Sequence, residues 1–170
     1  KPIHEGSSVG LHICRSRPEL ETSLQKIARG VGSAGGSGAF MVERLIPGRE
    51  LTCGLLDRGC GLEPLPLVEI TPAAGVYDFA AKYDRDDTGY TVSPDLGPAT
   101  DPEAVQQDAL RVARAVGVRH LARVDFMLDD RGRHWLLEIN TMPGFTGHSL
   151  LPKAAAAVGV GMSELCTGLC

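Results

Sequence analysis

"LARVDFMLDDRGRHWLLEIN" occupies residues 121–140 and reads as two strands folded about a tight turn. Runs 121–128 and 134–140 are rich in apolar residues, and Gly132 sits between them where the chain must reverse. Side chains alternate faces along a strand, so Arg123, Asp125 and Met127 share one side, as do Glu138 and Asn140. A turn centred on Arg131-Gly132 sets Asp125 opposite Glu138 and Arg123 opposite Asn140. Val124, Phe126, Leu137 and Ile139 are then expected to fill the other, core-facing side.

Two carboxylates facing each other across a ladder repel unless something cationic lies between them. Asp, Glu and Asn are all oxygen donors, which suits Mg²⁺ bound together with substrate phosphates. Arg123 could in turn stabilise charge on a transferring phosphoryl or acyl-phosphate group. From spacing alone, the same pattern also describes a half-exposed sheet face carrying an ordinary Arg–carboxylate pair.

The 170 residues are 43% hydrophobic, enough for one domain with a core or for two small lobes. The net charge of −4 and scattered basic residues offer no footprint for nucleic acid and no polybasic membrane patch. No apolar stretch approaches the roughly 18–20 residues that span a bilayer. The Lys1-Pro2 start carries neither an initiator Met nor a signal-peptide pattern, and reads as a chain cut in mid-sequence. Cys14, Cys53, Cys60, Cys166 and Cys170 include no CxxC pair, so reduced thiols in a cytoplasmic protein are expected, not a disulfide framework or zinc site.

Working outward from the hairpin, "DPEAVQQDALRVARAVG" (101–117) is an amphipathic helix with Pro102 in its first turn and Gly117 as a stop. "PELETSLQKIAR" (18–29) is a second helix, with Leu20, Leu24 and Ile27 on one stripe. Strands are expected at 9–14, 39–46, 50–57 and 65–70, with Pro47-Gly48 turning between the middle two. Residues 30–38 are too rich in glycine for regular structure. Residues 71–98, with four aromatics and no period, are expected to be an irregular binding loop or lid. The stretches after Ser149 read as helical. Together these give an α+β fold with a largely antiparallel sheet flanked by helices.

Two further clusters are weak in isolation. "KPIHEGSSVG" (1–10) offers a cation, hydroxyls and backbone amides to an anion, but it is not a Walker loop. "VERLIPGREL" places Glu43 and Glu50 about a turn, where carboxylates could accept from a ribose or an adenine amino group, or simply be solvated.

"KPIHEGSSVG", "VERLIPGRELTCGLL", "YDFAAKYDRDDTGYTVSP", "ARVDFML" and "LLEINTMPGFTGHSLLPKAA" follow one another in the order and near the spacing found in D-alanine–D-alanine ligases. The chain resembles the C-terminal ATP-grasp part of such an enzyme, with the N-terminal regions missing. The resemblance implies that residues 1–46 include the end of the central ATP-covering subdomain, and 47–170 the C-terminal subdomain with a lid at 71–98. The implied reaction is ATP-driven ligation of two D-alanines through an acyl phosphate, for peptidoglycan and hence cell-wall synthesis. Its cofactors would be ATP and two Mg²⁺ or Mn²⁺ ions. The implied partners are D-alanine and, since the family is often dimeric, a second copy of the chain.

The resemblance also assigns roles. Lys1 matches the phosphate-binding lysine. Ser7 and Ser8 match the loop over the reacting groups, with Ser7 tied to the lid tyrosine. Glu43, with the backbone of Arg44, Leu45 and Ile46, matches the adenine edge, and Glu50 the ribose ligand. Lys82 and Tyr83 match the lid over the phosphates. Asp125, Glu138 and Asn140 match the metal ligands, with Glu138 between two ions. Arg123 and the amide of Gly144 match the groups that stabilise the oxyanion. Ser149 with the amide of Leu150 matches the pocket for the second D-alanine's carboxylate, with His148 as its wall.

"AKY" at 81–83 favours dipeptide formation, because D-lactate-using relatives tend to carry a histidine near this position. His12, His120 and His134 are expected to be structural or exposed. The departures from the pattern, a loose 30–38 segment, a variable Arg44 and the "CTGLC" end, do not touch the chemistry. The competing readings are another ATP-grasp carboxylate–amine ligase with a different amino-acid pair, and a catalytically silent nucleotide-binding module.

Overall fold

The structure, a computed structural model, describes residues 1–4, 8–28, 39–71 and 88–168. It divides into two compact units, one formed by 1–45 and 72–88, the other by 46–71 and 89–170. The expectations for residues 30–38, for Ser7, and for Lys82 and Tyr83 lie outside the described residues.

In the first unit, helix α1 spans Arg17–Ala28. Its first turn is tied by Glu19, which accepts from the Arg15 amide at 2.8 Å and whose own amide bonds Ser16 Oγ. Leu20, Leu24 and Ile27 are half-buried along one stripe. The strands expected at 9–14 and 39–46 do not form. Residues 11–14 are irregular, and 39–46 contribute a single antiparallel bridge, Pro2 to Phe40. It is flanked by the bonds Ile3 N–H to Ala39 O (3.2 Å) and Met41 N–H to Lys1 O (2.8 Å). Alternation makes a segment fit for a strand, but a ladder needs a partner, and none extends beyond this bridge among the described residues.

The second unit is a five-stranded sheet ordered β3-β2-β1-β4-β5, each neighbouring pair antiparallel. The strands are β1 (Arg49–Asp57), β2 (Leu62–Thr71), β3 (Gly89–Val92), β4 (Leu121–Leu128) and β5 (His134–Asn140). The helices are α2 (Pro102–Ala115), α3 (Leu150–Ala157) and α4 (Met162–Thr167). The short strand β3 lies within the stretch expected to be irregular. Its four residues pair with the end of β2, too short a run to show a period.

Both hairpin turns are closed by an aspartate. Asp57 Oδ1 accepts from the amides of Gly59 and Gly61, joining β1 to β2. Asp129 Oδ1 accepts from the amides of Arg131 and Arg133, joining β4 to β5. The Trp135 indole N–H, together with Arg133, reaches Asp129 Oδ2 and holds that carboxyl well below the usual carboxylate range. Gly132 has φ +76°, and a Cβ there would meet Ala99 O at 2.7 Å, so only glycine fits this turn.

The core lies between α2 and one face of the sheet. Leu51, Cys53 and Leu55 of β1, Leu67 of β2, Val124, Phe126 and Leu128 of β4, and Val105, Ala109, Leu110 and Ala113 of α2 make it up with Leu96. Burying a side chain such as Phe126 or Leu51 contributes about 1.5–3 kcal/mol. The helix starts at Asp101, whose side chain accepts from the Glu103 amide at 3.0 Å, with Pro102 at its first position; such a cap contributes about 1 kcal/mol. It ends at Gly117, φ +77°. His134 of β5 ties the sheet edge to this helix through Asp108 at 2.7 Å and stacks edge-on against Phe126. Burial, then the nearby Arg111, lowers its pKa. Helix α3 packs on the opposite face, where Leu151 lies over Gly54, and α4 packs against α3.

Candidate functional site

The register of β4 against β5 pairs Arg123 with Asn140, Val124 with Ile139, and Asp125 with Glu138, as the alternation predicts. Cross-strand pairs of this kind hold their Cβ atoms about 4.5–5.5 Å apart. The two acids, the amide and the guanidinium therefore share the face opposite α2. Val124 and Phe126 are buried and Ile139 packs against the core. Leu137 does not join them and is 41% exposed. The ladder shifts between Asp125 and Phe126, whose partners are Glu138 and Leu136. Leu137 is thus the extra residue of a β-bulge on an edge strand.

Asp125 is 5% exposed and held by two neighbours. Arg123 grips it with both arms, Nε to Oδ1 at 2.9 Å and a terminal nitrogen to Oδ2 at 2.8 Å. Thr52 Oγ1, opposite it on β1, donates to Oδ1 at 2.6 Å. This threonine is absent from the sequence-based site. The available signal is slight: a hydroxyl two residues after Glu50, and so on the same face of the strand. Glu50 itself is half-buried and pairs with Met127 and Ile70. Glu138 is exposed.

Asn140 ends β5 and starts the break that follows. Its Oδ1 accepts from the Met142 amide at 2.9 Å, a side-chain turn that redirects the chain into Pro143-Gly144. The loop then closes on Ser149. Ser149 Oγ accepts from the Thr146 amide at 3.0 Å and shares a hydrogen bond with Thr146 Oγ1 at 3.0 Å, while the Ser149 amide donates to Thr146 O at 2.9 Å. Ser149 is the N-cap of α3, yet its hydroxyl makes no capping bond. Pro152, third in the helix, has no N–H to offer it. Gly144 lies directly against it: a Cβ at 144 would stand 2.9 Å from Ser149 Oγ. The structure thus brings Gly144, Ser149 and Leu150 together, with His148 exposed beside them.

In the first unit, Lys1 Nζ and Glu43 Oε2 form an ion pair at 2.9 Å. Arg44 and Leu45 are exposed, Ile46 is half-buried and opens the second unit, and Ser8 adopts φ 60°.

Among the described residues no three His, Cys, Asp or Glu side chains gather into a metal cluster. A third oxygen beside Asp125 and Glu138 would therefore come from the amide of Asn140. That set of hard oxygen donors fits Mg²⁺ or Mn²⁺. No helix among the described residues is long and apolar enough to cross a membrane.

The family described as D-ala D-ala ligase C-terminus matches residues 1–170. The D-alanine–D-alanine ligase of Acinetobacter baumannii is 39% identical over 171 residues, covering 99% of this chain and 52% of that protein. The chain thus spans about half the length of the curated relatives it matches. Among solved structures, the D-alanine–D-alanine ligase of Coxiella burnetii superposes with TM-score 0.77 at 28% identity, over 99% of this chain and 42% of that one. The Bacillus anthracis enzyme complexed with ATP gives TM-score 0.66 at 30% identity, over 90% and 45%. With its antiparallel sheet, flanking helices and full-length family match, the chain belongs to the D-alanine–D-alanine ligase C-terminal family of the ATP-grasp fold.

Proposed function

We infer that this chain supplies part of the active site of a ligase that joins two D-alanines at the expense of ATP. The observation that carries the reading is the register of the hairpin: Asp125 against Glu138 and Arg123 against Asn140, with Gly144 and Ser149 on the loop that follows. ATP phosphorylates the first carboxylate, the second amine attacks the acyl phosphate, and phosphate leaves. Each step gathers anions, so the site must neutralise charge and hold the amine in line.

Asp125, Glu138 and Asn140 would hold two Mg²⁺ or Mn²⁺ ions, which when bound supply positive charge against the ATP phosphates. Arg123 and the Gly144 amide face the oxygen on which charge develops. Ser149 and the Leu150 amide take the carboxylate of the second D-alanine, with His148 as pocket wall. Glu50 accepts from the ribose, and Glu43 with the backbone of residues 44–46 from the adenine. Lys1 and Lys82 bind phosphates. Ser7, Ser8 and Tyr83 belong to the closing loops. Residues 1–46 include the end of the central ATP-covering subdomain, and 47–170 form the C-terminal subdomain with its lid loop at 71–98. The product serves peptidoglycan synthesis in the cytoplasm, and a homodimer is the assembly expected of the family.

The test is ADP release by the full-length protein with and without D-alanine. D-alanine-dependent release is expected. Turnover with another amino acid but not with D-alanine sinks the substrate assignment, and no ATP turnover sinks the enzyme reading. Glu138→Gln should abolish turnover with the far-UV spectrum unchanged, because it removes charge from an exposed position outside the core. Normal activity in that variant refutes the metal assignment.

A further inference from the structure

We propose that Thr52 is a positioning residue for the metal-binding carboxylate of Asp125, an inference that rests on the ligase reading above. Thr52 is 1% exposed and Asp125 5% exposed, and they are direct partners across the β1–β4 ladder. The 2.6 Å bond from Thr52 Oγ1 to Asp125 Oδ1 is shorter than either bond from Arg123 to the same carboxylate. A hydroxyl carries one hydrogen, so the longer 3.4 Å approach of Thr52 Oγ1 to Val124 O does not compete with it.

The geometry divides the carboxylate's work. Thr52 is rooted in the central strand of the sheet, with one side-chain torsion between its hydroxyl and the backbone, and β-branching narrows that torsion to few states. Arg123 holds the same group from a long, flexible stem. A cation that takes Asp125 as a ligand competes with Arg123 for the carboxylate's lone pairs, whereas Thr52 stays in place. The threonine therefore fixes the plane and tilt of the carboxylate whether or not Arg123 remains on it. Partners of this kind orient metal ligands, and their loss typically weakens metal affinity or activity roughly 10–100-fold.

The test uses the full-length chain with Thr52→Val, which is nearly isosteric, and Thr52→Ser, which keeps the hydroxyl. Mn²⁺ affinity in the presence of ATP is read directly from free Mn²⁺ by electron paramagnetic resonance, and the metal dependence of ADP release is read alongside it. Thr52→Val is expected to weaken Mn²⁺ binding roughly tenfold or more, with most of kcat restored at saturating metal and Thr52→Ser close to wild type. A merely structural role would lower stability in both variants without moving the metal curve. Glu138→Gln serves as the control. If it loses Mn²⁺ while Thr52→Val binds as wild type, this inference is overturned and the ligase reading stands. If neither variant changes Mn²⁺ binding, this inference and the metal assignment fall together, while ADP release still tests the ligase reading. If Thr52→Val does not fold, a Thr52→Ser curve shifted as far as that of Glu138→Gln overturns the role of the hydroxyl.

Discussion

A methyl group at residue 144 would be felt first by Ser149. The Cβ of Gly144→Ala would stand 2.9 Å from Ser149 Oγ, and ordinary van der Waals contact begins at 3.4 Å, so the hydroxyl must retreat by about half an ångström. It is pinned by Thr146, whose amide and hydroxyl both lie at 3.0 Å. Its retreat must stretch those bonds or swing the hydroxyl away from the space beside Gly144. If that hydroxyl binds the second D-alanine's carboxylate, the variant forfeits a hydrogen bond to a charged group. Such a bond contributes about 1.5–3 kcal/mol, and at 1.36 kcal/mol per decade the loss is roughly 10- to 150-fold in kcat/KM. The assay is coupled ADP release by the full-length enzyme, with D-alanine varied over a range wide enough to separate its two binding events. The KM for the second D-alanine should rise, that for ATP should hold, and the thermal midpoint should change little because the loop is exposed. A Gly144→Ala enzyme with wild-type D-alanine kinetics would refute the assignment of Ser149.

Burial pushes the Cys53 thiol up to about 12, so it should resist a thiol reagent in the folded protein and react on unfolding. Cys60 and Cys166, both exposed, should label first. Cys53 labelling at the rate of Cys60 in the native state would contradict its place in the core. Asp129→Asn should destabilise the fold in a pH-dependent way. The Asp129 carboxyl, lowered chiefly by the Trp135 indole N–H, contributes stability that is complete above the ordinary Asp value of about 4 and is lost as pH falls toward its lowered value. The gap in melting temperature between wild type and variant should be widest at neutral pH and narrow below about pH 3. An equal gap at both ends would remove the linkage.

The hairpin was legible because two signals agreed there: two runs rich in apolar residues, with polar ones alternating at Arg123, Asp125, Glu138 and Asn140, and a glycine where the chain reverses. Helix α2 was equally open, since Asp101, Pro102 and Gly117 mark its ends in the residues themselves. The strands expected at 9–14 and 39–46 show the limit of the same reasoning. Their alternation is real, but hydrogen-bonded partners are a property of the fold, and among the described residues Phe40 bridges to Pro2 alone. β3 was hidden by its length. The residues proposed to hold the metal were readable as a register, whereas Thr52 was not, because nothing in its neighbours along the chain reveals that β4 lies beside it. The role of Gly144 came from the family resemblance, and only the structure shows how closely it packs on Ser149.

The bulge at Leu137 sets the parity of β5. On the turn side, His134 faces the helix and Leu136 is partner to Phe126; past the bulge, Glu138 and Asn140, still even-numbered, face the other way. One residue of slack converts a strand that would carry Glu138 and Asn140 into the core into one that presents them outside it. It also separates two tolerances. Removing Leu137 alone would leave Leu136 opposite Phe126 and Glu138 opposite Asp125, so both halves keep their partners. Removing any residue between Glu138 and Asn140 would misphase the pairs that follow it. The strand is thus built in two independent frames, and the one frameshift it can absorb lies at the joint between them.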